Sequence, residues 1–321
     1  MNVRNAVSNG NAPTVISTFA GCGGSSLGYK LAGFRELLAV EWDNNAVETF
    51  RLNFPEVPVY HGDIAKLTGA ECMRLAGVGV GELDVFDGSP PCQGFSTAGK
   101  RKFDDPRNSL FREYARLLKE LQPRVFVMEN VTGMIKGHMK QAYLTIIAEL
   151  RACGYRAKGE VLNAMYYNVP QSRERVIIIG VRNDLGIEPS HPKPQTRPVK
   201  ICEAFAGIAG RGDAPEMSEH YHKSWAKAKP GECVGSRQDT EKLDLRKPSK
   251  TLTKSEGYGG SYHPTESRPL STLERKRIGS FPDDFKFTDW KNAVLRIGNC
   301  VPPNLMRAIA THIKENILTN A

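Results

Sequence analysis

Between Thr14 and about Arg182, short apolar runs alternate with amphipathic segments. Val15-Ile16-Ser17-Thr18-Phe19, Leu37-Leu38-Ala39-Val40, Leu83-Asp84-Val85-Phe86, Val125-Phe126-Val127-Met128 and the run Val176 to Val181 have strand length. Ser25 to Ala32, stopped by Gly33, and Tyr143 to Ala152 read as helices between them. Leu110, Tyr114, Leu117, Leu118 and Leu121 recur at helical spacing, which predicts a further helix with one apolar face. Strands alternating with helices predict an α/β fold built on a doubly wound, mostly parallel sheet.

The texture changes after Asp184. Pro189, Pro192, Pro194, Pro198, Pro215, Pro230 and Pro248 punctuate a polar, Lys-rich stretch without a βα period. Leu185 to Asp284 therefore reads as a second, smaller and irregular domain. Patterned sequence returns near Leu295 and ends in the helix-like stretch Leu305 to Leu318. The predicted division is a main domain of residues 14–184 plus 285–321, with residues 185–284 apart. Met1 to Pro13 is polar and Asn-rich and reads as a loose tail without an apolar leader core.

Composition narrows the partners. The chain has 321 residues, 40% hydrophobic and 25% charged, as in an ordinary globular protein. Lys and Arg number 44 against 35 Asp and Glu, a net charge of +9 that suits a nucleic-acid partner without specifying a fold. The seven cysteines include no Cys-x-x-Cys pair, which argues against a disulfide framework or a metal site and for a reducing cytosol. No apolar run approaches the roughly 18 residues of a membrane span.

One segment concentrates the chemistry. Asp87-Gly88-Ser89-Pro90-Pro91-Cys92-Gln93-Gly94-Phe95-Ser96 follows an apolar strand. Proline fixes φ and removes a backbone donor, so Pro90-Pro91 aims the Cys92 thiol at the carboxyl edge of the sheet, where α/β folds bind ligands. Gly94 and Gly99 allow the next segment to move, and Lys100, Arg101 and Lys102 make it basic. Taken alone, Cys92 would read first as a buried structural thiol in a Pro/Gly turn, and only the rest of the chain overturns that reading.

A ligand pocket is legible at successive strand ends. Gly21-x-Gly23-Gly24 lets a ligand approach the backbone between a strand and a helix. Ser26 stands where a dinucleotide fingerprint needs its third glycine. Glu41 ends the second strand, where an acid accepts from ribose hydroxyls. Trp42 offers a stacking face and Asp63 an acceptor for an exocyclic amine. Together they predict an adenosine-containing ligand without a pyrophosphate.

These motifs resemble the DNA cytosine-5 methyltransferases. Phe19-Ala20-Gly21-Cys22-Gly23-Gly24, Glu41-Trp42-Asp43, Gly62-Asp63-Ile64 and Pro90-Pro91-Cys92-Gln93 come in the family's order. Glu129-Asn130-Val131, Gln171-Ser172-Arg173-Glu174-Arg175, Arg268 to Phe285 and Gly298-Asn299-Cys300-Val301-Pro302 follow. Two positions depart: Ser17-Thr18 stands where the family usually has Asp-Leu, and Cys300 replaces a frequent Ser.

The resemblance implies a Rossmann-like, S-adenosylmethionine-dependent methyltransferase domain with a smaller target-recognition domain. It implies Cys92 as nucleophile toward cytosine C6, and Glu129 as the acid at N3 and the exocyclic amine. Arg173 and Arg175 would contact the base, the backbone or Glu129. Phe19, Ala20, Gly21, Cys22, Gly23, Gly24, Glu41, Trp42, Asp63, Ile64, Pro91, Leu110, Asn299 and Val301 would hold the cofactor. Double-stranded DNA is the implied partner, its target base flipped out of the stack. Ser96, Lys100, Arg101 and Lys102 would meet phosphates, while Arg211, Arg237, Tyr258 and Tyr262 are candidates for base reading. A monomeric enzyme at the nucleoid, with a restriction endonuclease acting separately, completes the expectation.

Three alternatives compete. A nicotinamide oxidoreductase would share the strand-glycine-strand opening but leaves Pro-Pro-Cys-Gln and Gln-Ser-Arg-Glu-Arg without a purpose. A non-catalytic DNA-binding relative would not need Cys92, Glu129 and both arginines together. The tRNA-directed branch shares the catalytic motifs; the size of the region Leu185 to Asp284 favours DNA.

Overall fold

The computed structural model describes residues 12–91, 109–235, 240–254 and 260–320. The first part of the chain runs β1 (Thr14–Thr18), α1 (Gly24–Leu31), β2 (Arg35–Glu41), α2 (Asn44–Asn53), β3 (Val59–His61), α3 (Gly69–Ala76) and β4 (Val85–Gly88). It continues with α4 (Ser109–Leu121), β5 (Val125–Val131), α5 (Lys140–Ala152), β6 (Tyr155–Asn163) and β7 (Glu174–Arg182). The irregular region contributes α6 (Ile201–Ala204), α7 (Glu219–Lys227), β8 (Glu241–Lys242), β9 (Ser261–Tyr262) and α8 (Thr272–Ile278), and the chain closes on α9 (Trp290–Asn299) and α10 (Pro303–Asn316).

Seven strands form one sheet in the order β3-β2-β1-β4-β5-β7-β6. β1 to β5 are mutually parallel, and β7 runs antiparallel to both of its neighbours. The α/β, doubly wound, mostly parallel prediction therefore holds. Successive strand side chains point to opposite faces, so Ile16 joins the face covered by α4 and α5 while Val15 joins the face covered by α1 and α10. Leu117, Leu118 and Leu121 lie in the first core and Leu305, Ile309 and Ile313 in the second, all fully buried.

Several elements escape the apolar pattern. β6 (YRAKGEVLN) is an edge strand with an interleaved polar face, and β3 has only three half-exposed residues. β5 continues past its apolar run because β7 pairs with it to the end, matching Glu129 to Ile177 and Val131 to Arg175. Glu129 is thus a strand residue, held by sheet register, and not a residue of the following loop.

Residues 185–284 hold β8 and β9, paired over two residues each, and a small cluster of Met217, Val234 and Tyr262. A third core mixes sequence-distant parts: Phe50 of α2 and Phe54 at its C-cap pack with Leu252, Ile278, Phe281 and Phe285. Among the described residues no helix is long and apolar enough to cross a membrane, and no cluster of three or more His, Cys, Asp or Glu could hold a metal ion.

Candidate active site

β1 sits between β2 and β4, and the chain leaves it first toward β2 and β3, then returns on its other side as β4. This reversal is the switch point of an open α/β sheet, where the strand ends splay and leave a crevice. A cleft of about 730 Å³ opens there. Its lining includes Phe19, Ala20, Gly21, Cys22, Gly24, Glu41 and Trp42 from the β1 and β2 ends. Pro91, Glu129, Arg173, Arg175, Asn299 and Val301 converge on it from the other elements.

The loop after β1 is shaped by its backbone. Phe19 has φ 54°, a left-handed conformation uncommon for a bulky residue. Gly23 has φ 93°, and a Cβ there would lie 2.3 Å from the Phe54 ring. A Cβ on Gly24 would come within 2.5 Å of the Val301 carbonyl. Only glycine permits that approach, which brings the loop against the Asn299-Cys300-Val301 turn.

Glu41, buried at the end of β2, ties the loop down. One carboxylate oxygen accepts from the Gly21 N–H at 2.8 Å, and the other accepts from the Trp42 and Asp43 N–H groups at 2.9 Å each. The Trp42 ring that follows is 76% exposed at the cleft. Asp43 caps α2 and pairs with Arg296 of α9, fastening the far end of the chain to the same wall. The Cys22 and Cys300 thiols interact, and Cys300 Sγ donates to the Ile297 carbonyl at 3.4 Å. The contact between the thiols raises that of Cys22 and lowers that of Cys300, which Arg173 and Arg175 lower further.

On the opposite wall, the Arg175 guanidinium pairs with the Glu129 carboxylate at 2.8 Å, both side chains mostly buried. Asn130 beside them donates to the Pro90 carbonyl at 3.0 Å. The Glu-Asn-Val stretch thereby grips the Pro-Pro stretch that precedes Cys92. Arg173, 2% exposed, donates to the Leu252 carbonyl at 3.1 Å and to the Gly298 carbonyl at 3.0 Å. Burial and the like charge of Arg175 pull its guanidinium down to about 10. The two arginines differ in role: Arg175 orients the acid, and Arg173 joins three chain segments.

The remaining candidates are placed elsewhere. Gly23 caps α1 behind the cleft, and Asp63 caps the short turn after β3 by accepting from Ala65 N–H. Ile64 and Leu110 pack on the sheet core. Arg211 pairs with Glu216. Tyr262 is 2% exposed and stacked on Tyr221, so its ring belongs to the small core of residues 185–284 and presents no face to a base. Cys92, Ser96, Lys100, Arg101, Lys102, Arg237 and Tyr258 lie outside the described residues, as does the tail 1–11. Sequence reasoning quoted Asp43, Asn130, Gln171 and Cys300 within motifs but gave them no task, and it missed Arg296 and Lys254. Their signal is positional and appears only when distant segments meet.

Comparison with known proteins agrees with this geometry. The family profile described as C-5 cytosine-specific DNA methylase matches residues 13–205 and 205–315. The chain is 36% identical to the type II methyltransferase M1.HphI of Haemophilus parahaemolyticus, covering 92% of this chain and 85% of that protein. It is 32% identical to M.XorII of Xanthomonas oryzae pv. oryzae, covering 94% and 85%. A solved DNA modification methyltransferase encoded within an E. coli prophage superposes with TM-score 0.83 at 25% identity, over 96% of this chain and 100% of that one. The S. pombe Dnmt2 methyltransferase shares the fold at TM-score 0.70 and 18% identity, over 94% and 98%. The chain belongs to the family of C-5 cytosine-specific DNA methylases and is a DNA (cytosine-5)-methyltransferase.

Proposed function

We propose that this enzyme methylates C5 of a cytosine flipped out of a specific duplex DNA sequence, through a covalent bond between Cys92 and C6. The observation that carries the reading is the shared cleft. Glu129 and Arg175 face it from one wall, beside the proline pair leading to Cys92, and the glycine loop with Glu41 faces it from the other.

The pocket fits S-adenosylmethionine. A carboxylate offers about four acceptor sites, and three of those on Glu41 are filled by backbone N–H groups, leaving one for a ribose hydroxyl. The exposed Trp42 ring supplies a stacking surface for adenine. When bound, the cofactor supplies an electrophilic methyl group.

The protein's own residues prepare the acceptor. Cytosine C5 is a weak nucleophile inside an aromatic ring. Addition of the Cys92 thiolate to C6 forms an S–C6 bond and shifts the ring electrons to C5 and N3. Glu129 engages N3 and the exocyclic amine, where charge develops, and Arg175 holds its carboxylate in place. Base flipping is required because C5 and C6 are stacked within duplex DNA. The target-recognition role falls to residues 185–284, with Arg237 and Tyr258 among its base readers. Action as a monomer on cellular DNA, alongside a separate restriction endonuclease, is part of the same proposal.

Bisulfite sequencing of mixed-sequence duplex DNA, after incubation with S-adenosylmethionine, tests the reading. Protected cytosines within one short motif, absent with Cys92→Ala, are expected. Methylation of RNA alone would move the substrate to the tRNA-directed branch. Full activity of Cys92→Ala would refute the covalent step.

A further inference from the structure

Four Lys and Arg side chains line the cleft among the described residues, and three are engaged. Arg175 pairs with Glu129, Arg296 pairs with Asp43, and Arg173 donates to two carbonyls. The fourth, Lys254, is exposed, and among the described residues its ammonium has no partner. A lone exposed lysine is ordinarily a solvated surface charge. Lys254 differs because the chain that carries it is fixed.

Residues 249–254 come from the recognition region and dock directly on the Gln171-Ser172-Arg173 stretch. Ser172 N–H donates to the Ser249 carbonyl at 2.7 Å, and Thr251 Oγ1 donates to the Ser172 carbonyl at 3.0 Å. Leu252 N–H donates to Gln171 Oε1 at 3.1 Å, and Arg173 returns a bond to the Leu252 carbonyl. Behind them, a Cβ on Gly298 would lie 2.5 Å from the Lys254 nitrogen, so the backbone rests on the Gly298-Asn299 turn. Hydrogen bonds on one side and backbone contact on the other fix the stem from which the Lys254 side chain enters the cleft.

We propose that Lys254 binds a DNA phosphate flanking the flipped cytosine, so that the recognition region itself seats the target nucleotide. The proposal rests on the duplex-DNA reading given above. Lys254 reaches the cleft beside Arg173, two residues after Leu252 and against the Gly298-Asn299 turn. An ammonium is a compact point charge suited to a phosphate oxygen. In this arrangement, docking of DNA on the recognition region would deliver backbone and target base to one place, and Arg173 would transmit misplacement of the segment to Gly298.

The test compares wild type, Lys254→Gln and Lys254→Arg in tritiated methyl transfer to duplex DNA. Lys254→Gln should raise the KM for DNA about tenfold and lower the slope of log affinity against log salt by about 1. The Kd for S-adenosylmethionine and the melting temperature should stay unchanged, and Lys254→Arg should restore most of the loss. Once the target is mapped, a duplex with a neutral methylphosphonate beside that cytosine should bind wild type less well and Lys254→Gln no worse than before. Unchanged DNA KM and salt slope in Lys254→Gln, with active wild type, overturn the lysine assignment alone. A selective rise in cofactor Kd overturns it in favour of the cofactor carboxylate. A wild type that methylates no DNA overturns the underlying reading instead.

Discussion

The sheet domain and residues 185–284 solve the same problem, holding polar groups at fixed places, by different means. In the sheet, position follows from backbone register. Glu129 lies opposite Ile177 and Arg175 opposite Val131, and their pairing is set by strands whose central apolar runs, Val125 to Met128 and Val176 to Ile179, are buried. In the irregular region, two-residue strands cannot do this, and side chains clasp one another. Arg268 is gripped by both carboxylate oxygens of Glu274 at 2.8 Å and by Glu266 at 2.8 Å. Lys242 lies 3.5 Å over the Trp225 ring, whose N–H donates to the His263 carbonyl. The His263 ring stacks on Phe205. A sheet tolerates side-chain exchange because its bonds are between main chains, whereas a clasp depends on particular residues. The geometry of the Glu129–Arg175 wall is thereby separated from a region built of loops, which tolerate variation better than a sheet does.

The largest expected effect tests the sheet side through chemistry alone. Cys92→Ala should reduce methyl transfer to background and leave cofactor affinity within twofold, as measured by turnover and isothermal titration (about 0.4 kcal/mol at most). Retained turnover would break the idea that the cleft exists to present this thiol.

The clasp is tested by stability. Glu274→Ala leaves the buried Arg268 with only the half-exposed Glu266 as an acidic partner and should cost up to about 3–5 kcal/mol in chemical denaturation. Glu203→Ala removes an exposed partner of Arg197 and should leave the denaturation midpoint nearly unchanged. Equal losses would erase the contrast between buried and surface pairs within the region.

Glu41→Ala sharpens the account of the cofactor wall. Its carboxylate holds three backbone N–H groups, and hydrogen bonds to a charged group contribute about 1.5–3 kcal/mol. Affinity for S-adenosylmethionine should fall about 10- to 100-fold in titration. Unchanged affinity would remove Glu41 from the ribose site.

A further test lies in pH dependence. Glu36 lies behind the glycine loop, accepting from Ser26 Oγ at 2.9 Å, and burial pushes its carboxyl up to about 7. Asp87 nearby is raised as well, first by burial and then by Glu36. A raised carboxyl keeps its proton in the folded state while the unfolded chain loses it, so the unfolded chain binds fewer protons. Stability should therefore fall as pH rises from 4.5 to about 7 and level off above. Denaturation series should show a shallower slope for Glu36→Gln; an identical slope would show that this carboxyl does not set it.

Strong local periodicity made much of the sheet domain legible. Leu110 to Leu121 and Val176 to Val181 repeat at 3.6 and as a continuous apolar run, and both are regular elements at nearly those bounds. β6 and β3 were not legible, because edge position leaves a strand half polar. Glu129 and Arg175 were legible as motif members, yet their ion pair was not. Tyr262 illustrates the limit from the other side: an aromatic in a polar stretch gives no local sign of whether it faces DNA or a core.

What the sequence by itself determined is therefore the set of elements with a clear period and the short motifs whose residue types carry a reaction. The tertiary structure decided which of those motifs meet. Strand order places the ends of β1 and β4 together, antiparallel β7 carries Arg175 to Glu129, and Arg173 joins Leu252 to Gly298. Contacts such as Thr49 to Asn292 span 243 positions. Periodicity is a local property of a dozen residues, whereas long-range contacts form only when whole faces are buried together, and no local pattern encodes that choice.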